Sequence, residues 1–264
     1  EKQIPPLETA AKTFLVTGAT GFLGSHIVKH LLSLGHKVRA YARNEHGHEA
    51  LERSVDEEHR GRLSLLLGSV EDPARLHRAF RGVGAVIHAA AQKVVPLAEY
   101  DPGACIATNV YGTQNVVRAC LDAGVRRAVF VSTDKASSPA TLYGASKLCA
   151  ERSWLASNRY SAGAGTEFVA VRYGNVWASK GSVLEAWRES VLRGGSLRIT
   201  DPKCTRFHLY RDEAVALVLK ALDLASPGDL WIPKLPTYRI GDLCMSFRRA
   251  FNVPSQPEVT GLRM

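Results

Sequence analysis

The stretch VSTDKASSPATLYGASKLCAER, running from Val131 to Arg152, gathers hydroxyl, acid and amine groups in a short span. Tyr143 and Lys147 lie four residues apart, so on a helix they share one face. An ammonium beside a phenol favours the phenolate. That lowers the tyrosine pKa and suits Tyr143 to take a proton from an alcohol. Lys147 can also hold a ribose. Thr133 ends the apolar run RAVFVST, where it can hydrogen-bond the same alcohol. Together these residues suit hydride removal from an alcohol carbon. Asp134 and Lys135 set an acid and an amine side by side just upstream. A surface ion pair in a loop is the plain alternative for them.

Hydride removal needs an acceptor, and the start of the chain offers a place for one. TFLVTGATGFLGSH sets Gly18, Gly21 and Gly24 between an apolar strand and an amphipathic helix. Such glycines permit a tight turn and let the backbone approach a pyrophosphate at the helix N-terminus. Thr20, Phe22 and Leu23 complete the cofactor-binding loop. An NAD site usually carries an acid at the end of the second strand, to hold the ribose 2′-hydroxyl. Here AYARNE puts Arg43 there, with no acid before Glu45. A guanidinium pairs with a 2′-phosphate, so NADP is expected over NAD.

The elements that must position these groups alternate in type. Apolar strands are expected at 13–18, 37–43, 62–68, 84–90, 127–133 and 167–174. Helices are expected at 22–35, around 106–123 and at 143–159. This order predicts an α/β fold, a Rossmann-type doubly wound parallel sheet covered on both faces, with a small C-terminal substrate lobe. The dinucleotide-binding domain is expected over 1–174 with its core from about 13. The lobe is expected over 175–264, with segments returning to the first domain. Within it, helices near 183–193, 211–224 and 239–251 surround a short LRIT strand. This part reads as too small for a core of its own, packed on the sheet's carboxyl edge with substrate between.

Bulk properties narrow the partners. The chain has 264 residues, 45% hydrophobic and 22% charged, as in globular proteins. No apolar run reaches the roughly 18 residues that span a bilayer. The polar start EKQIPPLETAAK has no signal-peptide core. It also lacks a Met, so trimming at that end is expected. A cytoplasmic protein with no membrane partner is expected. The net charge of +9 comes from basic residues spread along the chain. That argues against nucleic acid and suits small polyanions. The five cysteines are odd in number and scattered, which implies reduced, mostly buried thiols. No Cys or His spacing suggests a metal.

The chain resembles the extended short-chain dehydrogenase/reductases. More narrowly, it resembles the soluble inverting UDP-N-acetylglucosamine 4,6-dehydratases of polysaccharide biosynthesis. The matching segments are GATGFLG, HAAAQKVVP, TNVYGTQNV, STDKASSPATLYGASK, RYGNV, TDPKCTRF and IPKLP, in family order. The resemblance implies that Tyr143 takes the C4 hydroxyl proton while hydride passes to NADP⁺. Lys135, in its neutral form, removes the C5 proton, and Asp134, protonated, donates to the departing C6 hydroxyl. The hydride returns to C6, and C5 is reprotonated from the opposite face. The resemblance also places Ser69, Val70, Ala89, Ala90 and Ala91 along the cofactor. Lys93, Asn175, Thr200, Cys204 and Arg206 fall on the side of a UDP-sugar substrate. Asn109 reads as organising backbone rather than reacting. A homo-oligomer is expected.

The chain departs from that pattern in several places. Cys204 replaces a Met, His208 a Trp, Val94 the usual residue after the Lys, and Ser69 an acid, while Trp177 stands where small residues are usual. These leave another nucleotide-sugar, or another position of water loss, open. The chain stops at GLRM, short of the Arg-Pro-Gly-Glu-Lys segment of such relatives, which leaves two expectations open: truncation, or a naturally short protein. A nucleotide-sugar 4-epimerase would need Thr133 and Tyr143 but not Asp134 and Lys135. A non-catalytic NADP(H)-sensing protein on the same fold commonly loses the Tyr or the Lys, and Tyr143 and Lys147 are both present.

Overall fold

The computed structural model describes residues 11–161, 165–177 and 182–261. The chain falls into two units, one of residues 1–173 with 212–233 and one of residues 174–211 with 234–264.

The first unit contains β1 (Thr13–Thr17), β2 (Lys37–Ala42), β3 (Leu63–Leu67), β4 (Ala85–His88), β5 (Arg127–Val131) and β6 (Glu167–Val171). The second contains β7 (Asn175–Val176), β8 (Arg198–Ile199) and β9 (Thr205–Leu209). The chain then returns to the first unit for β10 (Leu230–Trp231), and β11 (Thr237–Arg239) and β12 (Glu258–Val259) complete the second. The main sheet has seven strands in the order β10-β6-β5-β4-β1-β2-β3, all parallel. Its order reverses between β1 and β4, where doubly wound sheets bind ligands at the carboxyl ends of the strands.

The helices are α1 (Phe22–Ser33), α2 (Glu45–Arg53), α3 (Glu57–Arg60), α4 (Pro73–Phe80), α5 (Val95–Tyr100) and α6 (Pro102–Ile106). A five-residue π-turn, Ala107–Tyr111, joins α6 to α7 (Gly112–Ala123). Then come α8 (Leu142–Ala156), α9 (Val183–Leu192), α10 (Arg211–Leu224) and α11 (Ile240–Ala250). Local chemistry sets their ends. Gly18 leaves β1 with φ +67, and Asn44, Asp72 and Thr141 cap α2, α4 and α8 with side-chain oxygens. The expected helix over 106–123 is interrupted by the π-turn, and π-turns in helices often mark functional positions.

The sheet core closes around α8. Trp154 is fully buried, edge-on to Phe168 at 5.1 Å, and donates its indole N–H to the Val169 carbonyl at 2.9 Å. The last turn of α8 is thereby tied to β6. One turn away, Glu151 is 1% exposed and takes both prongs of the Arg172 guanidinium, the Nε donating at 3.0 Å. A buried carboxylate without that partner would be destabilising.

The second unit departs from expectation. It has an apolar cluster of its own, in which Trp187, Leu197, Ile199, Ile240, Cys244, Phe247 and Val253 are buried together. Two large rings supply much of the area, with Trp187 and Phe247 at 5.6 Å between centroids. Around it lie a three-stranded sheet, β11-β9-β7, and a two-stranded one, β12-β8. The helix near 211–224 groups with the first unit. Its face of Ala214, Val215, Val218, Leu219, Ala221 and Leu222 is buried, and β10 follows it to extend the main sheet. Of the cysteines, Cys105, Cys120 and Cys244 are buried, Cys204 is half-buried and Cys149 is exposed, so most lie inside, as expected.

If Trp154 is the keystone of this core, Trp154→Ala should lower unfolding free energy by about 3–5 kcal/mol. Urea denaturation checks this, and a loss below about 1 kcal/mol would contradict it.

Candidate active site

The Gly-rich turn is built by close approach. A Cβ on Gly18 would fall 2.7 Å from the Ala90 amide nitrogen, so only glycine lets β1 and the Ala89–Ala91 segment meet. A Cβ on Gly24 would strike the Gly18 carbonyl. Gly21 is the N-cap of α1 and supplies no side-chain cap, with Thr20 before it and Phe22 and Leu23 opening the helix. This cradle fits a dinucleotide pyrophosphate. Val70 is buried, and the Ser69 carbonyl accepts the Tyr41 hydroxyl at 2.8 Å. Arg43 stands at the end of β2, exposed, with Glu71 at 3.9 Å. Glu71 also accepts the Thr108 hydroxyl at 2.6 Å. An acid therefore does face Arg43, supplied by the loop after β3 and invisible in the local sequence.

The reactive groups converge at the end of β5. Thr133 caps a single 3-10 turn, Asp134–Ala136, and donates to the Asp134 carboxylate at 3.1 Å. The Asp134 amide donates to the Tyr173 carbonyl at 2.9 Å, which pins the turn to the strand beside it. Lys135 Nζ lies 3.2 Å from Asp134 Oδ1, with the two side chains 42% and 27% exposed. The turn presses on α8 because Gly144 has no side chain; a Cβ there would hit the Lys135 carbonyl. Tyr143 is buried at the start of α8, hydrogen-bonded to the Thr133 hydroxyl. Thr133, Asp134, Lys135 and Tyr143 thus form one cluster.

Lys147 joins it differently from expectation. Its side chain is buried, with Nζ donating to the Val131 carbonyl at 2.8 Å and lying 3.8 Å over the Phe130 ring. Burial pulls the amine down to about 7, opposed by Glu151. The Tyr143 phenol is pushed up to about 12, chiefly by burial, with only the Thr133 hydrogen bond pulling the other way and Asp134 and Cys105 adding to the rise. The expected lowering of the tyrosine by Lys147 is therefore absent. A lysine itself half neutralised by burial exerts little field, and desolvation of the phenol outweighs it.

Four residues expected to hold substrate lie in the second unit. On the three-stranded sheet Asn175 registers with His208 and Arg206 with Tyr238, and alternation puts all four on one face. Trp177 shares that face, 5.3 Å from the His208 ring and 5.9 Å from Tyr238. Thr200 lies apart from it, after β8, and half-buried Cys204 packs on the Trp187 cluster. Of these four, the face unites Asn175 and Arg206 alone. Lys93 is exposed in the first unit, before α5.

Beneath the site lies a buried polar group of which the sequence singled out Asn109 alone, as organising backbone. His88, Thr113 and Asn109 are each at most 1% exposed, and Asn109 ties the Gln92 backbone to Ser146. Their signal is only in the fold, since each partner comes from a different segment.

The profile of a family described as polysaccharide biosynthesis protein matches residues 14–264. The chain belongs to this family. It is 39% identical over 235 residues to a UDP-N-acetylglucosamine 4,6-dehydratase (inverting) of Campylobacter jejuni, covering 88% of this chain and 70% of that one. It is 44% identical over 233 residues to an uncharacterized membrane protein of Methanocaldococcus jannaschii, covering 88% and 69%. Among the described residues no helix is long and apolar enough to cross a membrane. The X-ray structure of Pen from Bacillus thuringiensis superimposes with a TM-score of 0.91 at 31% identity, covering 95% of this chain and 80% of that one. The family fold is that of the short-chain dehydrogenase/reductases.

The buried amine has a stability signature. Its folded pKa is below the ordinary 10.5, so between about 7 and 10.5 the unfolded chain binds more protons. Stability should therefore rise with pH across that window and fall as pH drops through 7. Melting of the wild type and of Lys147→Met from pH 6 to 10 checks this. The wild type should gain on the variant as pH rises, and parallel curves would contradict the assignment.

Proposed function

We propose that the chain is a nicotinamide-dependent nucleotide-sugar 4,6-dehydratase, C5-inverting, acting on UDP-N-acetylglucosamine or a related UDP-sugar. One observation carries this reading: the Asp134–Lys135 pair, at 3.2 Å, on a turn held against Tyr143 through Thr133. An oxidoreductase that stops at the ketone has no use for that pair. Of the relatives named above, the Campylobacter jejuni 4,6-dehydratase supports the same reading.

Gly18, Gly21 and Gly24 would hold the pyrophosphate of a nicotinamide dinucleotide, which would supply a reversible hydride acceptor for the sugar. The protein's own groups manage the protons. Thr133 and Tyr143 hold the C4 hydroxyl; Tyr143 takes its proton as the phenolate, a form that the positive charge of an oxidised nicotinamide beside it would favour over the phenol seen here. With C4 oxidised, the C5 hydrogen is acidic and Lys135 removes it. Asp134 protonates the C6 hydroxyl, which leaves as water. Lys135 must then start as an amine and Asp134 as an acid. The ion pair seen here differs from that state by one proton moved along the 3.2 Å contact. A substrate covering the pair excludes water and favours the uncharged form. Reprotonation of C5 and hydride addition at C6 complete a redox-neutral loss of water.

Asn175 and Arg206 are assigned to the diphosphate, for which a guanidinium fork is suited. NADP is the cofactor this reading favours, through Arg43. The Arg43–Glu71 contact is long and exposed, so it opposes a 2′-phosphate by no more than about 1 kcal/mol.

Two measurements test this. NMR of the protein with UDP-N-acetylglucosamine in D₂O should show a 6-deoxy-4-keto product with deuterium at C5, lost in Lys135→Ala. Unchanged substrate across UDP- and dTDP-sugars would defeat the proposal, and C4 interconversion that survives Lys135→Ala would assign a 4-epimerase instead. For the cofactor, Arg43→Ala should weaken NADP binding by about tenfold and leave NAD binding near its original value. A wild type that prefers NAD would overturn the NADP assignment.

A further inference from the structure

Beneath the reactive cluster runs a chain of buried hydrogen bonds whose direction is determined. The Ala90 amide donates to Thr17 Oγ1 at 3.3 Å. Thr17 Oγ1 lies 2.6 Å from His88 Nδ1, and His88 Nε2 lies 3.0 Å from Thr113 Oγ1. Thr113 donates to the Asn109 carbonyl at 2.6 Å, inside the π-turn. Asn109 Nδ2 donates to Ser146 Oγ at 2.9 Å, and Ser146 donates to the Tyr143 carbonyl at 2.8 Å.

Counting hydrogens leaves one arrangement. A threonine hydroxyl has one proton to give. That of Thr113 goes to the Asn109 carbonyl, so toward His88 it accepts, and Nε2 must carry hydrogen. Nδ1 is then the acceptor and takes the Thr17 proton. The other tautomer would leave Thr17 with two donors aimed at it and its own proton unplaced. It would also set the Nε2 lone pair against the lone pairs of Thr113. An imidazolium would add a donor at Nδ1 and lie near Lys147, within a shell of the Phe130 and Trp154 rings at 5.5 Å. Burial first, and Lys147 second, pull His88 down to about 3.

We infer that His88 is a positioning residue for Tyr143. Fixed as the neutral Nε2–H tautomer, it couples the Thr17–Ala90 junction of the cofactor cradle to the π-turn, and through Asn109 and Ser146 to the first turn of α8. The π-turn is integral to this coupling, because it carries both the Asn109 carbonyl that ends the first half and the carboxamide that starts the second. The inference rests on the dehydratase reading only in naming Tyr143 as the base; the tautomer and the coupling stand on geometry alone.

The test uses three readouts on the intact protein. Long-range ¹H–¹⁵N NMR should show His88 as Nε2–H and unchanged from pH 5.5 to 8.5; an Nδ1–H form or a titration in that range overturns the inference. In protein labelled at tyrosine Cζ, with Tyr143 assigned through Tyr143→Phe, Thr113→Val should move the Tyr143 resonance and Thr113→Ser should not. An unmoved resonance in folded Thr113→Val overturns it. In turnover, Thr113→Val should lower kcat about tenfold or more with KM within about twofold, and Thr113→Ser should restore it. Wild-type kcat in Thr113→Val overturns the positioning role. A wild type with the stated tautomer and Tyr143 response but no dehydratase turnover would count against the proposed function and leave the coupling standing.

Discussion

Taking the Lys147 amine out of water is the constraint on which the site depends. It lies buried between the Val131 carbonyl and the Phe130 ring, with buried Glu151 one turn further along α8. Such burial is tolerable only where α8 is held rigidly on the sheet. The fixings are visible: Trp154 bonded to β6, Glu151 forked by Arg172, and Gly144 allowing the turn of Asp134 and Lys135 to press against the helix. Each works through backbone or a buried side chain. Tyr143 is placed by the same fixings, because it opens the helix that they hold.

That rigidity shapes the electrostatics. Inside, the phenol of Tyr143 is held protonated and the amine of Lys147 is brought toward neutrality, both by loss of water. At the rim, Asp134 and Lys135 stay partly solvated and paired. The buried pair can move one proton from a sugar hydroxyl once added positive charge beside the phenol offsets its burial. The rim pair suits a second proton traffic, from a carbon and to a leaving hydroxyl. Two acid–base sets of opposite exposure within one cluster are what an elimination coupled to transient oxidation requires.

Much of this was legible in the sequence where its signal is local. The Gly18–Gly24 turn, the apolar runs of β1 to β6, and Tyr143 with Lys147 on one helix face all follow from spacing along a short segment. What was not legible depends on long-range contacts. Glu71 meets Arg43 only because β2 and β3 are neighbours. The chain from Thr17 through His88 and Thr113 to Asn109 needs β1, β4 and the π-turn in place. The rise of the Tyr143 pKa is a sum over burial that no motif records. The second unit's own core escaped notice because β7, β8 and β12 are two residues each, too short to show alternation, and α10 reads alike in either unit.

The central claim is that hydride taken from C4 returns to the same sugar at C6 while water leaves. The most direct measurement follows the label from UDP-N-acetylglucosamine deuterated at C4. One deuterium is expected at C6 of a 6-deoxy-4-keto product, undiluted by solvent hydrogen. Deuterium found again at C4, on either epimer of an otherwise unchanged sugar, would contradict it.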